Sequence, residues 1–134
     1  MAKNEDELRR LIASYADAWS GQDVEGVLSF FAPDLHFEDI PFGLVADSID
    51  EMREVLTTTF AAIPDFNMAL ERVIVQDNFA TTLWMQSGTF TYEGEGLNVI
   101  DKRYAVKTTT IFEFNNENKI ILLLDNWDVS CFFK

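Results

Sequence analysis

The sequence predicts an α+β domain: about three N-terminal helices packed on a curved, mainly antiparallel sheet, a cone-shaped α+β barrel enclosing a pocket. Three observations predict it. In the first half of the chain apolar residues recur at helical spacing. After Pro64 the spacing changes to every second residue, as in strands. Three polar segments, "QDN", "YEGEG" and "NNEN", then punctuate the second half as turns. A sheet with a helix across its open side is a natural place for a ligand pocket.

The first helix is expected over 5–20. Asn4 is its cap and Gly21 its stop, and Leu8, Leu11, Ile12, Tyr15, Ala16 and Trp19 form one apolar stripe. Asp23 caps a short second helix that turns Val24, Val27, Leu28 and Phe31 inward. "APD" turns the chain at Pro33, and "LHFEDI" follows as a short strand, broken by Pro41 and Gly43. Ser48 and Glu51 make a capping box for a third helix with Ile49, Met52, Leu56 and Phe60 on its apolar side. Strands are expected near 68–75, 79–90, 103–114 and 119–132. No linker, repeat or low-complexity tract divides the 134 residues, so a single domain over 1–134 is expected.

The formal net charge of −13 opposes binding to nucleic acid or to an anionic membrane, both of which need a basic footprint. The single cysteine, Cys131, cannot form an intrachain disulfide and reads as a small packed residue. The N-terminus lacks the apolar core of a signal peptide, and no run is long enough for a membrane span, so a cytoplasmic protein is expected. Motifs for zinc, dinucleotide or nucleoside triphosphate binding are missing, and one His with one Cys makes a poor ligand set. No metal and no cofactor are expected.

The stretch "KIILLLDNWDV", 119–129, carries the most chemistry. Its apolar run reads as a strand buried on both faces, yet it continues into Asp125. Alternation puts Leu123, Asp125 and Trp127 on one face and Leu124, Asn126 and Asp128 on the other. Lining a cavity, Asp125 is a carboxylate in an apolar pocket, with a raised pKa suited to proton transfer. Buried in a sealed core, it needs a partner such as Arg103 or a set of backbone amides. Asp39 alternates with Leu35 and Phe37; it reads either as a second pocket acid or as a turn acid before Pro41. Tyr15 reads either as a core tyrosine or as a donor to a ligand oxygen. His36, the only histidine, falls on the face opposite Asp39, beside Glu38, and reads as a surface residue. Asp128 reads as a hydrogen-bonding acid at a strand end, and Lys102, Arg103 and Lys107 as a basic cluster on a solvated sheet face.

The stretch "YADAWSGQDVEGVLSFFAPDLHFEDIPFG" resembles the N-terminal half of the nuclear-transport-factor-2-like superfamily, and is most similar to ketosteroid isomerases and SnoaL-like polyketide cyclases. "TTTIFEFNNENKIILLLDNWD" resembles their last hairpin. The resemblance implies that Tyr15 stands where the isomerases place an enolate donor and Asp39 where they place the proton-moving aspartate. Thr110 falls where the isomerases carry a protonated aspartate, and near the cyclases' histidine. "DNWD" matches the cyclases' D-x-x-D, with Asp125 on the acid–base position. Members of the superfamily commonly dimerise through the sheet, which implies a homodimer.

The expected function is acid–base chemistry on a small hydrophobic oxygen-bearing ligand, with neither nucleic acid nor membrane as partner. A proton next to a carbonyl is removed, and isomerisation or aldol-type cyclisation follows. Asp125 or Asp39 acts as base and then acid. Tyr15, helped by Thr110, steadies the oxyanion. Trp19, Phe37, Phe60, Met85, Leu123 and Trp127 form the apolar wall. Two rivals share the fold: a non-catalytic small-molecule-binding module and a dimeric interaction module.

Overall fold

A computed structural model of the chain describes residues 2–94 and 96–133. Helix α1, Ala2–Ser20, begins before Asn4, so Asn4 lies in its first turn rather than capping it. Nothing in "AKN" opposes helical dihedrals, since it holds no proline, glycine or β-branched residue. Leu8, Ile12, Tyr15, Ala16 and Trp19 are buried as their spacing requires. The left-handed residue after the helix is Gln22 rather than Gly21 (φ 57°), and its side-chain amide is held by the Phe66 carbonyl at 2.8 Å. Helix α2, Val24–Leu28, is capped by Asp23, which accepts from the Gly26 N–H at 3.0 Å.

Phe31 does not belong to α2; it opens strand β1, Phe31–Asp39. Nor does Pro33 turn the chain. It sits where the register of β1 shifts between Phe31 and His36, a place that tolerates a residue with no N–H to donate. The chain reverses through Pro41 and Gly43 (φ 67°) into strand β2, Leu44–Ala46, which the sequence did not announce. Helix α3, Ile49–Ala62, carries the Ser48 cap, which accepts from the Glu51 N–H at 3.1 Å. The Glu51 carboxylate reaches back to the Asp47 N–H at 2.8 Å, one residue beyond the usual box.

Strands β3, Asn67–Gln76, β4, Phe79–Gly94, and β5, Leu97–Phe114, form a meander whose second hairpin runs further than expected. Tyr92 and Gly94, assigned above to the "YEGEG" turn, are strand residues beyond a register shift at Phe90/Tyr92, and Glu95 lies outside the described residues. Strand β6, Ile120–Trp127, ends sooner than expected. The chain then winds into a 3-10 turn, Val129–Phe132, whose first N–H groups Asp128 caps, accepting from the Ser130 N–H at 3.0 Å.

The six strands lie in the order β2-β1-β6-β5-β4-β3. All pairs are antiparallel except β1 and β6, which are parallel. The sheet does not close into a barrel, since β2 and β3 are edges. The helices cover one face. There Trp84, Phe37, Phe112 and Leu123 are fully buried against α1 and α3, and each such side chain contributes about 1.5–3 kcal/mol of burial. The other face stays open and exposes Ile74, Phe79 and Ile111. Among the described residues no helix is long and apolar enough to cross a membrane.

Candidate active site

A one-residue irregularity aims Asp125. Phe114 faces Ile120 across β5 and β6, but Glu113 faces Leu122, so Ile121 is bulged out of the ladder. A bulge reverses the facing of every residue beyond it. Past Ile121 it is Leu123, Asp125 and Trp127 that turn toward the helices, and all three are buried. The parallel pairing with β1 then sets Asp39 beside Asp125. Thr110 stands opposite Asp125 on β5, and Thr82 opposite Thr110 on β4. Asp39, Asp125, Thr110 and Thr82 therefore make one polar row across four strands. The neighbouring row is wholly apolar: Phe37, Leu123, Phe112 and Ala80. The row on the other side is Trp127, Thr108 and Trp84.

The two indoles of that third row hold the polar row in place. Trp127 Nε1 donates to Asp39 Oδ2 at 3.2 Å. Trp84 Nε1 donates to Thr110 Oγ1 at 2.8 Å, and Thr110 Oγ1 donates to Asp125 Oδ1 at 2.6 Å. A threonine hydroxyl has one hydrogen. That of Thr110 is committed to Asp125, so Thr110 is not available to steady a ligand oxygen as the sequence suggested. What it does is fix the orientation of the Asp125 carboxyl.

Burial raises the Asp125 pKa from 3.8 to about 7; the Thr110 hydrogen bond opposes the rise and the charge of Asp39 adds to it. Burial also raises Asp39, against the Trp127 indole and the Phe42 N–H at 3.4 Å. Tyr15 is pushed well above the phenol range, first by burial and then by the nearby Asp125 charge. At neutral pH the site thus holds a protonated phenol beside two carboxyl groups whose proton affinities burial has raised. Among the described residues no arginine is ion-paired with either carboxylate. Arg103 lies on the open face of the sheet and is exposed, so it is not the partner of Asp125.

The remaining candidates divide. The Tyr15 ring sits edge-on to Trp19, Phe31 and Phe112, which places it over the apolar row. Trp19 and Phe60 pack with Phe66 beyond it. Phe37, Leu123 and Trp127 flank the two aspartates as expected of neighbours in the ladder. Met85 does not belong with them. Ala80, Thr82, Trp84 and Gln86 are the buried residues of β4, so Met85 points to the open face. His36 is on the face opposite Asp39, bonded through Nδ1 to Asp47 at 2.6 Å, which raises its pKa. Lys107 is ion-paired with Glu71 on the open face. Among the described residues no three His, Cys, Asp or Glu side chains converge as metal ligands would.

Two grooves on the surface lie away from the carboxylates. A groove of about 350 Å³ runs between β2 and α3, lined by Leu44, Val45, Glu51, Glu54, Val55 and Thr58. Another of about 280 Å³ lies beside Pro64, Asp65 and Thr89. Neither touches the carboxylates. Phe42 and Phe132, stacked on each other, instead meet Trp127 edge to face, with ring centroids 5.1 and 5.6 Å from it, at the Asp39 end of the row.

Sequence reasoning missed Trp84, Thr82 and Thr108. The hairpin turn at 115–118 is the signal that leads to them, because counting outward from it brings the Thr108–Thr110 run opposite the DNW segment. The Ile121 bulge offsets that count by one.

Comparison with known proteins identifies the family and the fold. The family model for SnoaL-like polyketide cyclase matches residues 9–130. The chain belongs to the SnoaL-like polyketide cyclase family. No curated protein matches it significantly in sequence. Among solved structures, a proposed SnoaL-like polyketide cyclase from Jannaschia sp. CCS1 superposes with a TM-score of 0.82 at 13% identity, covering 96% of this chain and 92% of that one. IdmH, a proposed polyketide cyclase from Streptomyces antibioticus, superposes with a TM-score of 0.78 at 16% identity, covering 94% and 95%. A protein with a ketosteroid isomerase-like fold from Catenulispora acidiphila DSM 44928, solved with trimethylamine, gives 0.78 at 17% identity, covering 90% and 87%. At these identities the superpositions establish the shared fold.

Proposed function

We propose that this SnoaL-like protein removes a proton next to the carbonyl of a small hydrophobic ketone, with Asp39 as base and the protonated Asp125 and Tyr15 as donors to the carbonyl oxygen. The observation that carries the reading is the side-by-side placement of half-buried Asp39 and buried Asp125 in one row, with Thr110 bonded to one Asp125 oxygen. Two adjacent carboxyl groups do not both ionise readily, so a split into acid and base follows from their proximity. Because Oδ1 accepts from Thr110, Oδ2 is the oxygen that carries the proton and can donate it.

In the reaction Asp39 takes the proton from carbon, and the electron pair moves onto the carbonyl oxygen. Tyr15 and Asp125 stabilise the enolate by hydrogen bonding. Returning the proton from Asp39 to a different carbon isomerises the molecule. Attack of the enolate carbon on a second carbonyl closes a ring, and the resulting alkoxide takes the proton. Cyclisation agrees with the family; the donor geometry serves either outcome. The ligand enters past Phe42 and Phe132.

The pH dependence of kcat/KM on a diketone panel tests the assignment. Asp39 as base and Asp125 as acid give a bell that falls above about 7. Activity that instead rises through pH 7 makes Asp125 the base and overturns the assignment.

A second copy of the chain is the proposed macromolecular partner. The open face carries a row of Ile74, Thr81, Ile111 and Leu124, and Ile74 and Ile111 are 67% and 45% exposed. Apolar side chains on three of these four strands, with Thr81 in register between them, suit a self-complementary sheet contact.

A further inference from the structure

The polar row has a neighbour that the proposed reaction does not use. Thr108 lies between Trp84 and Trp127, is 1% exposed, and its hydroxyl has no hydrogen-bond partner. Further along the same face of β5, Tyr104 is also buried, and its hydroxyl is likewise unpartnered. Most buried polar groups in folded proteins are satisfied, so an orphan asks for an explanation.

The fold itself gains nothing from the Thr108 hydroxyl. The Thr108 backbone is paired on both sides, to Trp84 and to Trp127, and valine has the same shape and an equal preference for strands. A buried hydroxyl without a partner costs stability, and its apolar isostere does not. Thr110 makes the contrast, since its hydroxyl is bonded on both sides. The orphan also sits one row from Asp125 on the same face of the sheet. Thr108 and Asp125 are diagonal neighbours across β5 and β6, about 7–8 Å apart. The two indoles beside Thr108 direct their N–H groups to the polar row, which leaves the hydroxyl between two aromatic walls.

We propose that Thr108, with Tyr104 beyond it, forms a second oxygen-binding position one row from the carboxylates, so that the ligand is a flat molecule with two oxygens at opposite ends rather than a simple ketone. This rests on the carboxylate reading above. One oxygen lies at Tyr15 and Asp125, the ring lies against the Trp84 and Trp127 indoles, and the other oxygen pairs with the Thr108 hydroxyl.

Calorimetric binding of 2-naphthol and 2,6-dihydroxynaphthalene tests it without turnover. The wild type binds the diol more tightly than the naphthol. Thr108→Val weakens the diol by roughly three- to tenfold, leaves the naphthol unchanged, and keeps or raises Tm. Thr108→Ser retains the diol preference, which guards against a packing effect. Asp125→Asn weakens both ligands. If both ligands bind equally in the wild type, or Thr108→Val costs the diol nothing, while Asp125→Asn still weakens them, the second position is refuted and the carboxylate reading stands. If neither ligand binds, or Asp125→Asn changes nothing, both readings fall.

Discussion

Replacing Asp125 by asparagine turns the burial of this carboxyl into a stability measurement. The folded pKa is about 7 against an ordinary value of 3.8. Below pH 3.8 both folded and unfolded chains carry the proton, and burial has no electrostatic penalty. Between 3.8 and about 7 the unfolded chain has released a proton that the folded chain still holds, so stability falls as pH rises. Above 7 the loss is complete and amounts to about 4 kcal/mol. The asparagine side chain never ionises, and its carbonyl oxygen can still accept from Thr110. Its new amide hydrogens lack a partner, a pH-independent cost of about 1–3 kcal/mol. Relative to wild type, the variant should therefore be the less stable protein at pH 4 and gain about 4 kcal/mol of relative stability by pH 8. Urea unfolding at the two pH values, with wild type and variant in parallel, cancels the titration of the other carboxylates. A difference that stays constant across the window refutes the buried, proton-holding Asp125.

Other substitutions read the same row from different sides. Thr110→Val removes the bond that opposes the shift, so Asp125 should titrate above about 7 in a carbon NMR titration; the stranded Trp84 N–H should cost about 1–3 kcal/mol in unfolding. Trp127→Phe removes a donor to Asp39 and should raise the Asp39 pKa further, moving the acid limb of the kcat/KM profile upward. Tyr15→Phe should lower kcat by about 10²–10³ if the phenol donates to the developing oxyanion, with KM little changed. Ile111→Lys, on the open face, should shift sedimentation from dimer to monomer while leaving ligand binding intact; a wild type that is already monomeric removes the sheet-face dimer.

The helices and the buried Asp125 were legible because each announces itself locally, whereas Asp39 stood out only through the family resemblance. Ser48 and Asp23 are caps fixed by their own backbone, and Tyr15 follows from the α1 stripe. Asp125 was legible as an acid interrupting an apolar run. Met85 was placed on the wrong face of β4 because that strand's pattern is mixed. Its helix-covered side carries Thr82 and Gln86, while its open side carries Phe79, Leu83 and Met85. Hydrophobicity alone therefore assigns Met85 to the core. The pairing of Asp39 with Asp125 was not legible either. It depends on a parallel contact between the first and the sixth strand, which no local pattern encodes. Nor does the run Thr108–Thr110 say which of its hydroxyls meet the carboxylate, since that depends on the Ile121 bulge.

That parallel contact also sets an order of events for the folding chain. The β3–β6 strands can zip as successive hairpins, each closing a short loop. Joining β1 to β6 instead closes a loop of about two-thirds of the polypeptide, a step whose entropic penalty precedes its reward. The two acids become neighbours only at that step, so their mutual repulsion is absent from every earlier intermediate. Rising pH should accordingly accelerate the detachment of β1 from β6 more than it slows the assembly of the meander. The charge pair at the centre of the proposed chemistry would then also mark the seam at which the molecule first opens.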